Sequence, residues 1–273
     1  MYLASGSHRY QVGNKVADAG SYRLYLCTQE ETDRQCLLQI ATEATGNGGL
    51  DRAAYLLQEL ARRAEEIEAE YAQVKSDPKD MLNYELGFPE LVDSFVCPEQ
   101  GGRRVNTLAF RFVEEISRMV PINNITERDR LRVDLKTSAW IMGKLLKLLV
   151  FTHGERILIR QMTGNNILIE PDEHYVVIFD LSQALTYQEE IPEDVRRQEI
   201  ELAARSVIVV LGGDPVTGTF PDDGDDCFDQ YTSHILRLAS GGPSNAARAH
   251  AQFYQLIHEM GWHGFHPFTT LPL

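Results

Sequence analysis

Short apolar runs broken by turn formers occupy the first forty residues of the chain. "YQVGNKV" at 10–16, "SYRLYLC" at 21–27 and "CLLQIA" at 36–41 are rich in β-branched, aromatic and leucine residues, the pattern of an antiparallel meander. The period then lengthens. Apolar or small positions fall at Leu50, Ala53, Leu57, Leu60, Ala64, Ile67, Tyr71 and Val74, an alternating three-and-four spacing that predicts a long helix over 51–74. After "KSDPKD" at 75–80, which reads as a linker, two more strands are predicted at 91–97 and 105–114, joined across Gly101 and Gly102.

The remainder changes character. A helix is predicted over 130–152, followed by a hairpin of Ile167–Ile169 and Tyr175–Phe179 around a polar turn at 171–174. A mostly apolar helix runs from Ile200 to Leu211 and ends at Gly212-Gly213, a good C-terminal cap. Two further helices lie in 231–240 and 245–261, before a short proline-containing tail. Asn166 stands just before the hairpin and Asp180 just after it, so two oxygen-bearing side chains are carried to one end of it, an arrangement suited to a magnesium ion.

Composition narrows the function classes. With 273 residues, 43% hydrophobic and 24% charged, the chain is long enough for one large domain or two lobes with real cores. A net charge of −14 argues against a nucleic-acid binder. Cys27, Cys36, Cys97 and Cys227 form no paired motif, and no N-terminal apolar segment is present, which together favour a reducing cytoplasm. "WIMGKLLKLLVF" is interrupted by Lys144 and Lys147 and is too short to span a bilayer, so no membrane partner is expected.

The order of elements resembles the protein kinase fold: strands, one helix, more strands, then a helical lobe opening on a helix and a metal-type hairpin. "NNILI" followed by "VVIFDL" resembles the catalytic-loop asparagine and metal-binding aspartate of that family, at Asn166 and Asp180, fourteen positions apart. The resemblance implies an α+β, two-lobed fold, with a small antiparallel-sheet lobe carrying one long helix over 1–114 and a mainly helical lobe over 115–273. It also implies ATP or another nucleotide, with Mg2+, in the crevice. Other motifs depart from the family. Gln161 stands at the catalytic-base position with Arg160 beside it, and an amide cannot accept a proton. Ala17, Ala19 and Tyr22 stand where the glycine-rich loop has its glycines, and Gln39 where the phosphate-pairing lysine would be; Lys15 is the nearest lysine, on another strand. Glu59, or else Glu66, fits the helix glutamate. "LAFRFVEEIS" resembles the inter-lobe hinge, with Phe110 as gatekeeper and Arg111 to Val113 facing an adenine.

These departures imply a pseudokinase, a regulatory or scaffolding protein with a degenerate nucleotide cleft that binds another protein, with the 51–74 helix as a candidate surface. The alternative is an atypical ATP-dependent phosphotransferase acting on a small molecule or protein, with Asn166 and Asp180 on the metal and Arg160 or Lys15 supplying charge. A third reading leaves the cleft filled by Tyr22 and other side chains. The acidic run "PDDGDDCFD" lacks the ligand spacing of a calcium loop and reads as a solvated loop, and His250, His258, His263 and His266 fit no common zinc spacing.

Overall fold

The computed structural model describes residues 1–74, 82–221, 224–262 and 264–273. The predicted linker at 75–80, Asp222 and Asp223 of the acidic run, and His263 lie outside the described residues. Two compact units emerge, Met1–Arg118 with Phe179–Gln183, and Met119–Ile178 with Ala184–Leu273. Where the sequence suggests one boundary at 114/115, the chain divides at 118/119, and the short stretch after the hairpin belongs to the first unit. Arg52 holds that stretch there by donating to the Ser182 carbonyl at 3.1 Å.

The first unit is an antiparallel six-stranded sheet. Its strands are β1 (Tyr2–Ala4), β2 (Arg9–Asp18), β3 (Tyr22–Gln29), β4 (Arg34–Ala41), β5 (Glu90–Cys97) and β6 (Arg103–Ala109). They lie in the order β1-β2-β3-β4-β6-β5. The predicted strand over 105–114 stops at Ala109, and Phe112 has a left-handed φ of 59°, which a strand cannot accommodate. Cys27 and Cys36, distant in sequence, face each other across β3 and β4.

The predicted long helix is α1 (Asn47–Val74). Leu50, Ala53, Leu57, Leu60 and Ala64 of its apolar stripe are buried, Ile67 and Tyr71 half-buried, and Val74 exposed. Polar ties fix its start to the sheet. The Asn47 side chain donates to the Gly102 carbonyl at 2.8 Å and accepts from the Arg104 amide at 2.7 Å. Buried Asn106 of β6 donates to the Leu50 carbonyl at 2.8 Å.

The second unit is mainly helical, with α2 (Ile122–Glu127), α3 (Leu135–Gly154), α4 (Glu193–Val210), α5 (Phe228–Ala239) and α6 (Ala246–Glu259). Short strands connect them: β7 (Val120–Pro121), β8 (Leu131–Val133), β9 (Ile157–Leu158), β10 (Ile167–Glu170), β11 (Tyr175–Ile178), β12 (Leu185–Thr186) and β13 (Thr270–Pro272). The expected hairpin is β10–β11, pairing Ile167 with Ile178 and Glu170 with Tyr175. The helix predicted from residue 130 begins at Leu135 instead, because Asp134 caps it through the Thr137 amide at 2.7 Å. Residues 131–133 are drawn into β8 by pairing with β13 from the tail. Helix α4 terminates as expected: Gly212 takes a φ of 79°, and the Gly213 amide returns to the Ile208 carbonyl at 2.9 Å. Among the described residues no helix is long and apolar enough to cross a membrane.

Candidate functional site

In the first unit, the predicted residues Tyr22, Gln39 and Asp180 come together. Tyr22 opens β3 after the turn at Gly20, whose φ of 78° lets the chain reverse. Its ring is buried and it lies against the Asp180 carboxylate, whose charge acts on the phenol. Burial, and then the Asp180 charge, push the phenol pKa far above its usual value, so this hydroxyl is a permanent donor. Asp180 is buried too, accepting from the Ser182 amide at 2.8 Å through Oδ1 and from the Ser182 hydroxyl at 3.0 Å through Oδ2. Gln39 is 1% exposed, and its amide acts on Tyr22 in the opposite sense, lowering the phenol pKa. Its Nε2 nevertheless has no acceptor in hydrogen-bonding geometry.

This arrangement does not suit a magnesium triphosphate. A metal ion at Asp180 must compete with the Ser182 amide and hydroxyl that already donate to it, beside a buried phenol. The buried Gln39 supplies no charge to set against phosphate.

In the second unit, the loop leading into β10 is held by its own hydrogen bonds and by α4. The Asn166 side chain donates to the Gln161 carbonyl at 2.9 Å, and the Asn166 amide to the Thr163 carbonyl at 2.8 Å. Arg160 sits at a left-handed φ of 70° with an exposed side chain. Its amide donates to Oε1 of buried Glu199 at 2.6 Å, while the other Glu199 oxygen meets His153 Nε2 at 2.8 Å. The Ser206 hydroxyl donates to the Met162 carbonyl at 2.9 Å. One carboxylate on α4 thus holds a strained backbone at the point where the loop turns.

Among solved structures, the chain is similar to vaccinia related kinase 3, with a TM-score of 0.60 and 15% identity, over 96% of this chain and 91% of that one. It is also similar to the BubR1 kinase domain, with a TM-score of 0.59 and 12% identity, over 95% of this chain and 83% of that one. The chain has a protein kinase-like fold. No family model matches the sequence, and no curated protein does.

On this kinase-like fold the other expected residues are placed as follows. Ala17 and Ala19 are exposed, at the end of β2 and in the turn after it, and Lys15 is exposed and ion-paired with Asp18 at 3.7 Å. Phe110 is buried, its ring 6.4 Å from Phe179. Arg111 pairs with Glu85 at 2.5 Å, Phe112 is exposed and Val113 buried. Glu59 is not directed into the sheet: it pairs with Arg62 on the helix surface, and Arg62 and Arg63 engage Glu66. No carboxylate lies on the buried face of α1, which carries only leucine and alanine.

Arg52, Ser182 and Glu199 are not flagged by the sequence reading. Glu199 had a usable signal, a carboxylate immediately ahead of an apolar helical run. Arg52 and Ser182 had none, since both act through contacts distant in sequence. Among the described residues, no group of three or more His, Cys, Asp and Glu comes together as a metal site.

Proposed function

We propose that this chain is a pseudokinase-type regulatory or scaffolding protein that binds another protein and transfers phosphate slowly or not at all. The observation that carries the reading is Tyr22 buried against the Asp180 carboxylate, with the buried amide of Gln39 close by where phosphate transfer needs a cation. An amide also stands at Gln161, so the catalytic loop offers no proton acceptor at that position. Helix α1 is a candidate partner surface, because past Ala64 its apolar stripe runs out from half-buried Ile67 and Tyr71 to exposed Val74. The net charge of −14 weighs against nucleic acid as that partner. Four free cysteines suit a reducing cytoplasm.

The second reading is an atypical phosphotransferase in which Asn166 and Asp180 hold magnesium and ATP or another nucleotide donates phosphate. The ordered loop from Arg160 to Asn166, fixed by Glu199, favours it. Thermal-shift titration with ATP and magnesium, run beside a phosphotransfer assay, separates the two. A ligand at a hundred times its dissociation constant adds about 2.7 kcal/mol of stability. Expected is no turnover and no magnesium-dependent shift in the natural chain, with a shift emerging in Tyr22→Ala. Turnover that disappears in Asp180→Ala overturns the proposal in favour of the enzyme.

A further inference from the structure

The second unit contains a cleft of about 390 Å³ between α3, α6 and the segment after α6. Its lining includes Lys136, Lys144 and Lys147 and, among the described residues, no aspartate or glutamate. That is a pronounced local inversion in a chain with 40 acidic and 26 basic residues. Its volume falls within the range of small-ligand sites.

Two polar groups in this lining lack partners. Lys144 projects from the middle of α3, and among the described residues nothing forms an ion pair or hydrogen bond with its ammonium. Burial pulls its pKa down. The indole N–H of Trp140, one turn earlier on the same helix, is fully buried and finds no acceptor. A buried donor is ordinarily satisfied, so the unsatisfied indole N–H, with the Lys144 cation one turn away in the same cavity, calls for an acceptor from outside the chain. The same positive character holds His174 below its usual pKa, through burial and then Lys144, and His250 likewise, through burial and then Lys147. Carboxylates nearby have partners of their own: Asp134 engages His266 at 2.7 Å, while Glu170 and Glu173 act on His174 in the opposite sense and also on Tyr175.

The cleft also carries an aromatic wall. His174 lies 4.7 Å from Trp140 on one side and is stacked at 4.7 Å and 5° on Phe265 on the other. Phe265 is still 80% exposed, which leaves its outer face open for another ring.

We propose that this cleft binds a small aromatic anion, a flat ring bearing a phosphate or carboxylate, with the charge on Lys144 and the Trp140 N–H and the ring against Phe265. None of these residues belongs to the candidate nucleotide site, so the proposal stands apart from the function proposed above.

The chain's two tryptophans, Trp140 and Trp262, both line this cleft, so its tryptophan emission reports on the site directly. The full chain is titrated with phenyl phosphate and with benzoate at constant ionic strength, and benzyl alcohol serves as the uncharged comparator. A saturable emission change is expected with at least one of the two anions and not with benzyl alcohol. In Lys144→Met the affinity falls at least about tenfold. Trp140→Phe keeps Trp262 as reporter and weakens binding by removing the N–H, a second variant that decides the matter if Lys144→Met fails to fold. Three results overturn the proposal: no saturable change with either anion up to about 10 mM, an equal response to benzyl alcohol, or full affinity retained in the variants.

Discussion

At the scale of single residues, burial decides what each polar group can do. Tyr22 and His234 show this in opposite directions. In water a phenol titrates near 10, yet here burial and the Asp180 carboxylate keep Tyr22 protonated throughout the accessible pH range. His234 is buried on α5 with Arg237 Nη2 2.7 Å from its Nδ1 and the Phe253 ring 5.7 Å away. Burial, and then Arg237, pull its pKa down to about 4. The unfolded chain therefore binds a proton that the folded chain refuses, between about pH 6.5 and that value. The stabilisation from a neutral His234 is complete above pH 6.5 and is lost as pH falls toward 4. In His234→Gln, which accepts from Arg237 but does not titrate, the melting temperature should fall less steeply over that window than in the natural chain. Identical slopes in the two proteins would count against the assignment.

At the scale of elements, polar ties between segments far apart in sequence set where the secondary structure sits. Asn47 and Asn106 lock α1 to β6, and Glu199 on α4 holds the turn ahead of the hairpin. Replacing Glu199 by alanine leaves His153 and the Arg160 amide without their partner and frees a left-handed non-glycine backbone. The expected loss is about 3 kcal/mol in urea denaturation. Adding Arg160→Gly in that background should recover about 1 kcal/mol, because glycine adopts this conformation without strain. No recovery would show that Glu199 acts only through His153. The hairpin, the long helix and the four later helices were legible because each repeats its own period over many residues. Several ends were misread, among them the start of α4, at Glu193 and not Ile200, and two whose cause is plain. The strand beyond Ala109 and the helix before Leu135 are terminated by a left-handed Phe112, by the Asp134 cap and by pairing with the tail, and apolar periodicity carries none of these.

At the scale of the whole molecule, the tail takes part in the second unit's fold. Strand β13 pairs with β8, the Thr269 carbonyl accepts from the Asp134 amide at 3.1 Å, and His266 binds the Asp134 carboxylate. Removing residues 270–273 should therefore lower stability by about 1–3 kcal/mol and speed hydrogen exchange at Arg132 and Val133, which would lose their strand partner. Unchanged exchange at β8 after the truncation would mean that the pairing contributes little.

By itself the sequence determined the class of fold and the order of its parts, because periodicity, turn residues and the spacing of Asn166 and Asp180 are local properties of the chain. It also determined that positions 39 and 161 carry amides, neither a cation nor a proton acceptor. Tertiary structure alone decided what those groups meet. It set buried Tyr22 against Asp180, left Glu59 at the surface with Arg62, and brought Lys144 and Trp140 to one cavity. Tyr22 and Asp180 are more than a hundred positions apart in sequence, and burial, which decides what each of these groups can do, exists only once the chain has folded.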